Sequence, residues 1–71
     1  MSKVKMYIDG IEQYSSASQL KSVLESLGET QNIKVDAKSG TATMDTTQRD
    51  ERLKIAVEDL GCTVSKITSI E

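Results

Sequence analysis

Val4, Met6 and Ile8 alternate with Lys3, Lys5 and Tyr7, a period of two that predicts a half-buried strand. Asp9-Gly10 ends it, and the short polar run 11–16 predicts a loop. Ala17, Leu20, Val23, Leu24 and Leu27 then fall on one stripe at helical spacing, with Ser18, Lys21, Ser22, Glu25 and Ser26 on the opposite face. Ser16 with Gln19 fits a capping box at the start of this helix, and Gly28 fits its C-terminal stop.

The second half has a similar plan but no sequence repeat. Ile33 and Val35 alternate with Lys34 and Asp36 as a second strand. Ala37-Lys38-Ser39-Gly40 predicts a turn with Gly40 at positive φ. Thr41 to Met44 continues as a third strand with Ala42 and Met44 on the core side, so strands two and three form a hairpin. Thr47 with Asp50 predicts a second capping box. Leu53, Ala56, Val57 and Leu60 form the stripe of a second helix, stopped by Gly61. Val64, Ile67 and Ile70 predict a last strand at a sheet edge, and their broken alternation predicts a bulge or frayed end. The order is βαββαβ. Right-handed crossovers put both helices on one face of a four-stranded antiparallel sheet, an α+β two-layer sandwich.

Size and composition narrow the function classes. A chain of 71 residues predicts one domain spanning 1–71, in which every apolar position matters to a small core. Cys62 is the only cysteine, so no disulfide framework exists. A lone thiol, no signal-like segment before the first strand and no apolar run near the roughly 20 residues that cross a bilayer lead us to expect a cytoplasmic protein without a membrane role. The net charge is −2, and there are two Tyr, no Trp and no Phe. That composition argues against nucleic acid, which needs clustered cations and stacking surface. The chain has no histidine, which removes the usual general base. With no nucleophile–base pair, phosphate loop or paired carboxylates visible, we expect no enzyme.

From Met6 to Val64 the chain resembles the heavy-metal-associated domain, the family of small copper chaperones and of the amino-terminal modules of copper-pumping ATPases. That family shows G-M-x-C-x-x-C opening the first helix, V-x-V-D, a V-T-V-like strand and A-I-E-x-x-G-Y near the end. Here the corresponding stretches are Gly10-Ile11-Glu12-Gln13-Tyr14-Ser15-Ser16, Ile33-Lys34-Val35-Asp36, Thr41-Ala42-Thr43-Met44 and Ala56-Val57-Glu58-Asp59-Leu60-Gly61-Cys62. The resemblance implies a ferredoxin-like fold. It also exposes a departure, because Gln13 and Ser16 stand at the positions of the two family cysteines. Soft ions such as Cu(I) select thiolate and thioether ligands. A neutral amide and a protonated hydroxyl are hard oxygens, so the metal-carrying activity does not transfer by motif, and neither a metal nor another cofactor is expected.

The resemblance sets Cys62 where the family has an aromatic residue, in a loop lying beside the metal loop. One reading makes it the single ligand of a weak soft-metal site (copper, cadmium or zinc), bridged across a dimer; the plainer one makes it a small buried side chain. Met6 and Met44 are core residues before they are thioether ligands. Ser15, Ser16 and Ser18 surround a helix N-terminus that can hold an anion, but Asp9 and Glu12 are close and capping is the simpler role. Tyr7 with Lys3, Lys5 and Lys34 predicts a solvated open sheet face. The first reading is therefore a binding module whose contact residues are Ile11, Glu12, Gln13, Tyr14, Ser15 and Ser16, with Tyr14 as anchor. Its expected partner is a protein, another domain of this family or a metal-transporting ATPase. A third reading is self-association through the edge strand. Either a monomer or a weak homodimer fits the sequence.

Overall fold

The computed structural model describes residues 1–11 and 16–70. The elements run β1 (Ser2–Asp9), α1 (Ala17–Ser26), β2 (Thr30–Asp36), β3 (Thr41–Thr46), α2 (Asp50–Glu58) and β4 (Thr63–Ser69). They form one antiparallel sheet in the order β2-β3-β1-β4, so β2 and β4 are its edges. This is the expected two-layer ferredoxin-like arrangement.

The core is what the two periods predict. Val4, Met6 and Ile8 from β1, Ala42 and Met44 from β3, and Ile33 from β2 meet Leu20 and Leu24 of α1 and Leu53 and Val57 of α2. Met6 and Met44 are fully enclosed, so their thioethers pack instead of facing a ligand. Ser16 caps α1 as expected: its Oγ accepts from the Gln19 N–H at 3.2 Å, and its own N–H donates to Gln19 Oε1 at 2.9 Å. The reciprocal pair satisfies two donors that the helix itself leaves open.

The second capping box does not form. Arg49 occupies the N-cap of α2 without a side-chain cap bond, and Asp50 and Glu51 in the first turn complement the helix dipole instead. The hydroxyls before it are used elsewhere. Thr47 Oγ1 donates to Glu29 Oε2 at 2.9 Å. The strand preceding them runs on to Thr46, whose buried Oγ1 accepts from the Gln48 N–H at 2.9 Å and lies 2.8 Å from Thr30 Oγ1. Gln48 Nε2 donates to the carbonyls of Leu27 and Gly28 at 2.9 and 3.2 Å. These bonds join the α1–β2 and β3–α2 connections, and they use carbonyls that the end of α1 leaves unpaired.

Both edge strands are irregular. β2 starts at Thr30, ahead of its apolar alternation, and its pairing with β3 slips between Gln31 and Lys34, where Asn32 takes φ 56°. In β4, Ile8 faces Val64 while Tyr7 faces Lys66. Ser65 is therefore the extra residue of the expected bulge, and its Oγ donates to Tyr7 O at 3.2 Å. Ile70 lies beyond the strand and is 42% exposed, so it does not join the core stripe.

Gly40 takes φ 68°, and a Cβ there would meet Ile8 O at 2.8 Å, while Ile8 N–H donates to Gly40 O at 2.7 Å. Gly28 is also left-handed but has nothing within 4 Å of its virtual Cβ. Gly40→Ala is expected to destabilise the domain by about 1–3 kcal/mol and Gly28→Ala by only about 1 kcal/mol. Urea denaturation of both variants checks the order.

Candidate functional site

The β1–α1 connection and the loop after α2 meet at one end of the sheet. Gly10 (φ 96°) ends β1 and Gly61 (φ 93°) ends α2. These two reversals bring distant parts of the sequence together, and Cys62 Sγ–H donates to Gly10 O at 3.7 Å. Cys62 is only 3% exposed. Ile11 is half-buried and packs against the core, which ties the start of the connection down. Ser16 closes it as the α1 cap. Glu12, Gln13, Tyr14 and Ser15, the other proposed contact residues, lie outside the described residues.

The chemistry of this end follows from its donors. The Ser16 hydroxyl is committed to the Gln19 amide. Cys62 is a thiol hydrogen-bond donor, and burial pushes its pKa above the ordinary value of 9.0. Deprotonation is therefore harder, the opposite of what a soft-metal ligand or reactive nucleophile needs. Among the described residues no group of three or more Cys, Asp or Glu is placed to hold a metal ion.

The raised thiol pKa has a sign that can be checked. The unfolded chain releases the Cys62 proton near the ordinary value and the folded chain holds it to higher pH. The folded state thus binds more protons in that interval, and stability falls as pH rises through about 9 and beyond. Cys62→Ala is expected to flatten the decline in urea midpoint between about pH 8 and pH 10 relative to the wild type. An unchanged slope would remove the assignment.

Beside the cap, Ser18, Gln19, Ser22 and Val23 of α1 and Leu60 after α2 surround a shallow depression of about 420 Å³. Val23 and Leu60 belong to the apolar stripes, yet both are only half-buried and packed against the rim of the core. Periodicity assigned them to the interior. Val23 sits at the lateral margin of the α1 stripe and Leu60 lies past Glu58, the last residue of α2, and those places mark them as surface-reaching.

The open sheet face carries Tyr7, with Lys5 Nζ 5.2 Å and Lys66 Nζ 6.0 Å from its ring centroid. Lys66 was not grouped with Tyr7 by the sequence pattern, because the bulge at Ser65 decides which β4 residues share that face. The two ammonium groups occupy the ring's surroundings, which suits a solvated face better than a stacking platform. Among the described residues no helix is long and apolar enough to cross a membrane.

No protein-family model matches the sequence, and no curated protein is detectably similar to it. Solved structures match by fold. A heavy metal binding protein of Thermotoga maritima superposes with a TM-score of 0.78 at 16% identity, covering 96% of this chain and 98% of that one. A copper binding domain from a P-type ATPase gives 0.77 at 14% identity, covering 100% and 96%. The N-terminal domain of PacS from Synechocystis gives 0.75 at 15% identity over 100% of both chains. The chain thus has the fold of heavy-metal-associated domains along essentially its whole length.

Proposed function

We propose that this chain is a non-enzymatic binding module on a heavy-metal-associated scaffold, with an accessory role in heavy-metal handling through a protein partner. Ile11, Glu12, Gln13, Tyr14, Ser15 and Ser16, with the adjoining face of α1, form the docking surface. The partner is another domain of this fold or a metal-transporting ATPase. The observation that carries the reading is the state of Ser16. At a position where the family places a thiol, this side chain is spent on a helix cap, while the scaffold around it is kept.

The donor set supports a role without metal cargo. Gln13 and Ser16 offer neutral hard oxygens, and Cys62 offers one buried thiol held in its protonated form. A soft cation selects thiolates, and one such ligand makes no tight mononuclear site. The half-buried Val23 and Leu60 beside the cap give a protein partner an apolar floor next to polar contacts, the usual anatomy of a recognition patch.

Two measurements test this. Reduced protein titrated with Cu(I) against a competing chelator is expected to hold no tight one-to-one ion. A tight complex abolished by Cys62→Ser would replace the docking reading with a metal site at Cys62. Adding the amino-terminal domain of a heavy-metal ATPase from the same cell to isotopically labelled protein is expected to shift amides of residues 11–16 and α1. Shifts confined to the opposite end of the molecule would remove the proposed surface.

A further inference from the structure

We propose that β4 is a self-pairing edge: two copies of this chain join antiparallel through residues 66–70, with a two-fold axis at Thr68, and extend the sheet across the dimer. Backbone direction, edge protection and side-chain register at β4 all favour this pairing, and the edge is separate from the docking surface near α1.

Ile70 N–H donates to Lys3 O at 2.9 Å. In an antiparallel ladder alternate residues bond to the same neighbour, so Thr68 and Lys66 turn their backbone groups toward β1. Ile67 and Ser69 turn theirs to the open edge. Pairing about Thr68 places Ile67 of each copy against Ser69 of the other, and these residues exchange both backbone hydrogen bonds. On the open sheet face Thr68 then meets Thr68 of the other copy, and Lys66 lies opposite Ile70. No like charges face one another, and the 42% exposed Ile70 gains the aliphatic stem of Lys66 as cover.

The opposite edge lacks these properties. β2 has its ladder broken between Gln31 and Lys34, Asn32 in a left-handed conformation with its amide bonded to Asp45, and Lys34 and Asp36 within the strand. Those are protective devices of an edge strand. β4 carries Lys66 as its only charge, and its bulge at Ser65 limits pairing to the segment beyond it. The flank of α2 overlooking this edge presents Asp50, Glu51 and Lys54. Both signs are present, so an antiparallel copy brings opposite charges within reach as well as like ones.

Ser69→Pro is the discriminating variant. It removes a donor aimed at the open edge and no bond to β1, and Ser69 is exposed, so the folded monomer tolerates it. Sedimentation of the reduced wild type over about 10 µM to about 1 mM, the span in which a small interface associates, is expected to show reversible dimerisation. Ser69→Pro is expected to stay monomeric, with an amide spectrum that loses the residue 69 signal and otherwise changes only at its immediate neighbours. Register is read separately. Ile70→Glu sets a carboxylate opposite Lys66 of the other copy and is expected to associate several-fold more tightly at low salt than Ile70→Lys, with the difference closing at high salt. A wild type that remains monomeric throughout, a folded Ser69→Pro that dimerises as well as the wild type, or no difference between the two Ile70 variants would overturn the proposal.

Discussion

Gln13→Cys with Ser16→Cys is expected to convert the chain into a one-to-one Cu(I) binder. Each substitution replaces a neutral hard oxygen with a soft donor, and the second falls at the N-cap of α1, where the helix dipole lowers a thiol's pKa. The affinity gain over wild type is expected to be at least about a thousandfold, roughly 4 kcal/mol. Against it stands the loss of the Ser16 cap, which costs the apo domain about 1 kcal/mol and which the bound ion offsets through its linkage to folding. Neither single variant is expected to reach half of the gain, because two thiolates act as one chelating unit and their effects do not add. Chelator competition and thiolate-to-metal absorption give the readout. A folded double variant that still ignores Cu(I) would show that residues 13 and 16 do not converge, and the assignment of the loop would fail with it.

Leu53→Ala is expected to come close to unfolding the domain. Leu53, like Val57, is a fully buried residue of α2 and belongs to the same core cluster as Met6 and Met44. Large-to-small changes at such sites cost about 2–5 kcal/mol. At ~0.05–0.15 kcal/mol per residue, a domain of this size has a total stability of only roughly 4–10 kcal/mol. Two residues along the same helix, Ile55 is 57% exposed, and Ile55→Ala is expected to change stability by less than about 0.5 kcal/mol. Urea midpoints of the pair test whether α2 is seated on the face described. Equal costs would mean that the helix is rotated.

The elements that were legible in the sequence are those whose cause is local. The α1 cap needed only Ser16 and Gln19, three positions apart, and both of its hydrogen bonds are present. Gly40 was readable as a left-handed turn residue because few other residues accept that conformation. Thr47 was misread for the complementary reason. A threonine three residues before an acid is a capping signal only if nothing else claims the hydroxyl, and Glu29, 18 residues earlier in the chain and beside Thr47 at the same end of the sheet, claims it. The candidate site divides the same way. That residues 13 and 16 lack sulfur is written in the chain, whereas the shelter of Cys62 depends on Gly10, far away in sequence.

Alternation and helical spacing by themselves determined the βαββαβ order and nearly the whole core, since the face a residue presents is set by backbone period alone. Composition determined that no soft-metal pair stands at the first loop. Tertiary structure alone decided that Cys62 is a protonated hydrogen-bond donor and that Val23 and Leu60 reach the surface beside the α1 cap. It also decided that the bulge at Ser65 joins Lys66 to the face of Tyr7 and that β4 is an edge strand regular beyond that bulge while the other edge, β2, is broken. Each of these depends on the distance between residues remote in sequence and on which strand lies outermost, and no periodicity along a chain encodes either.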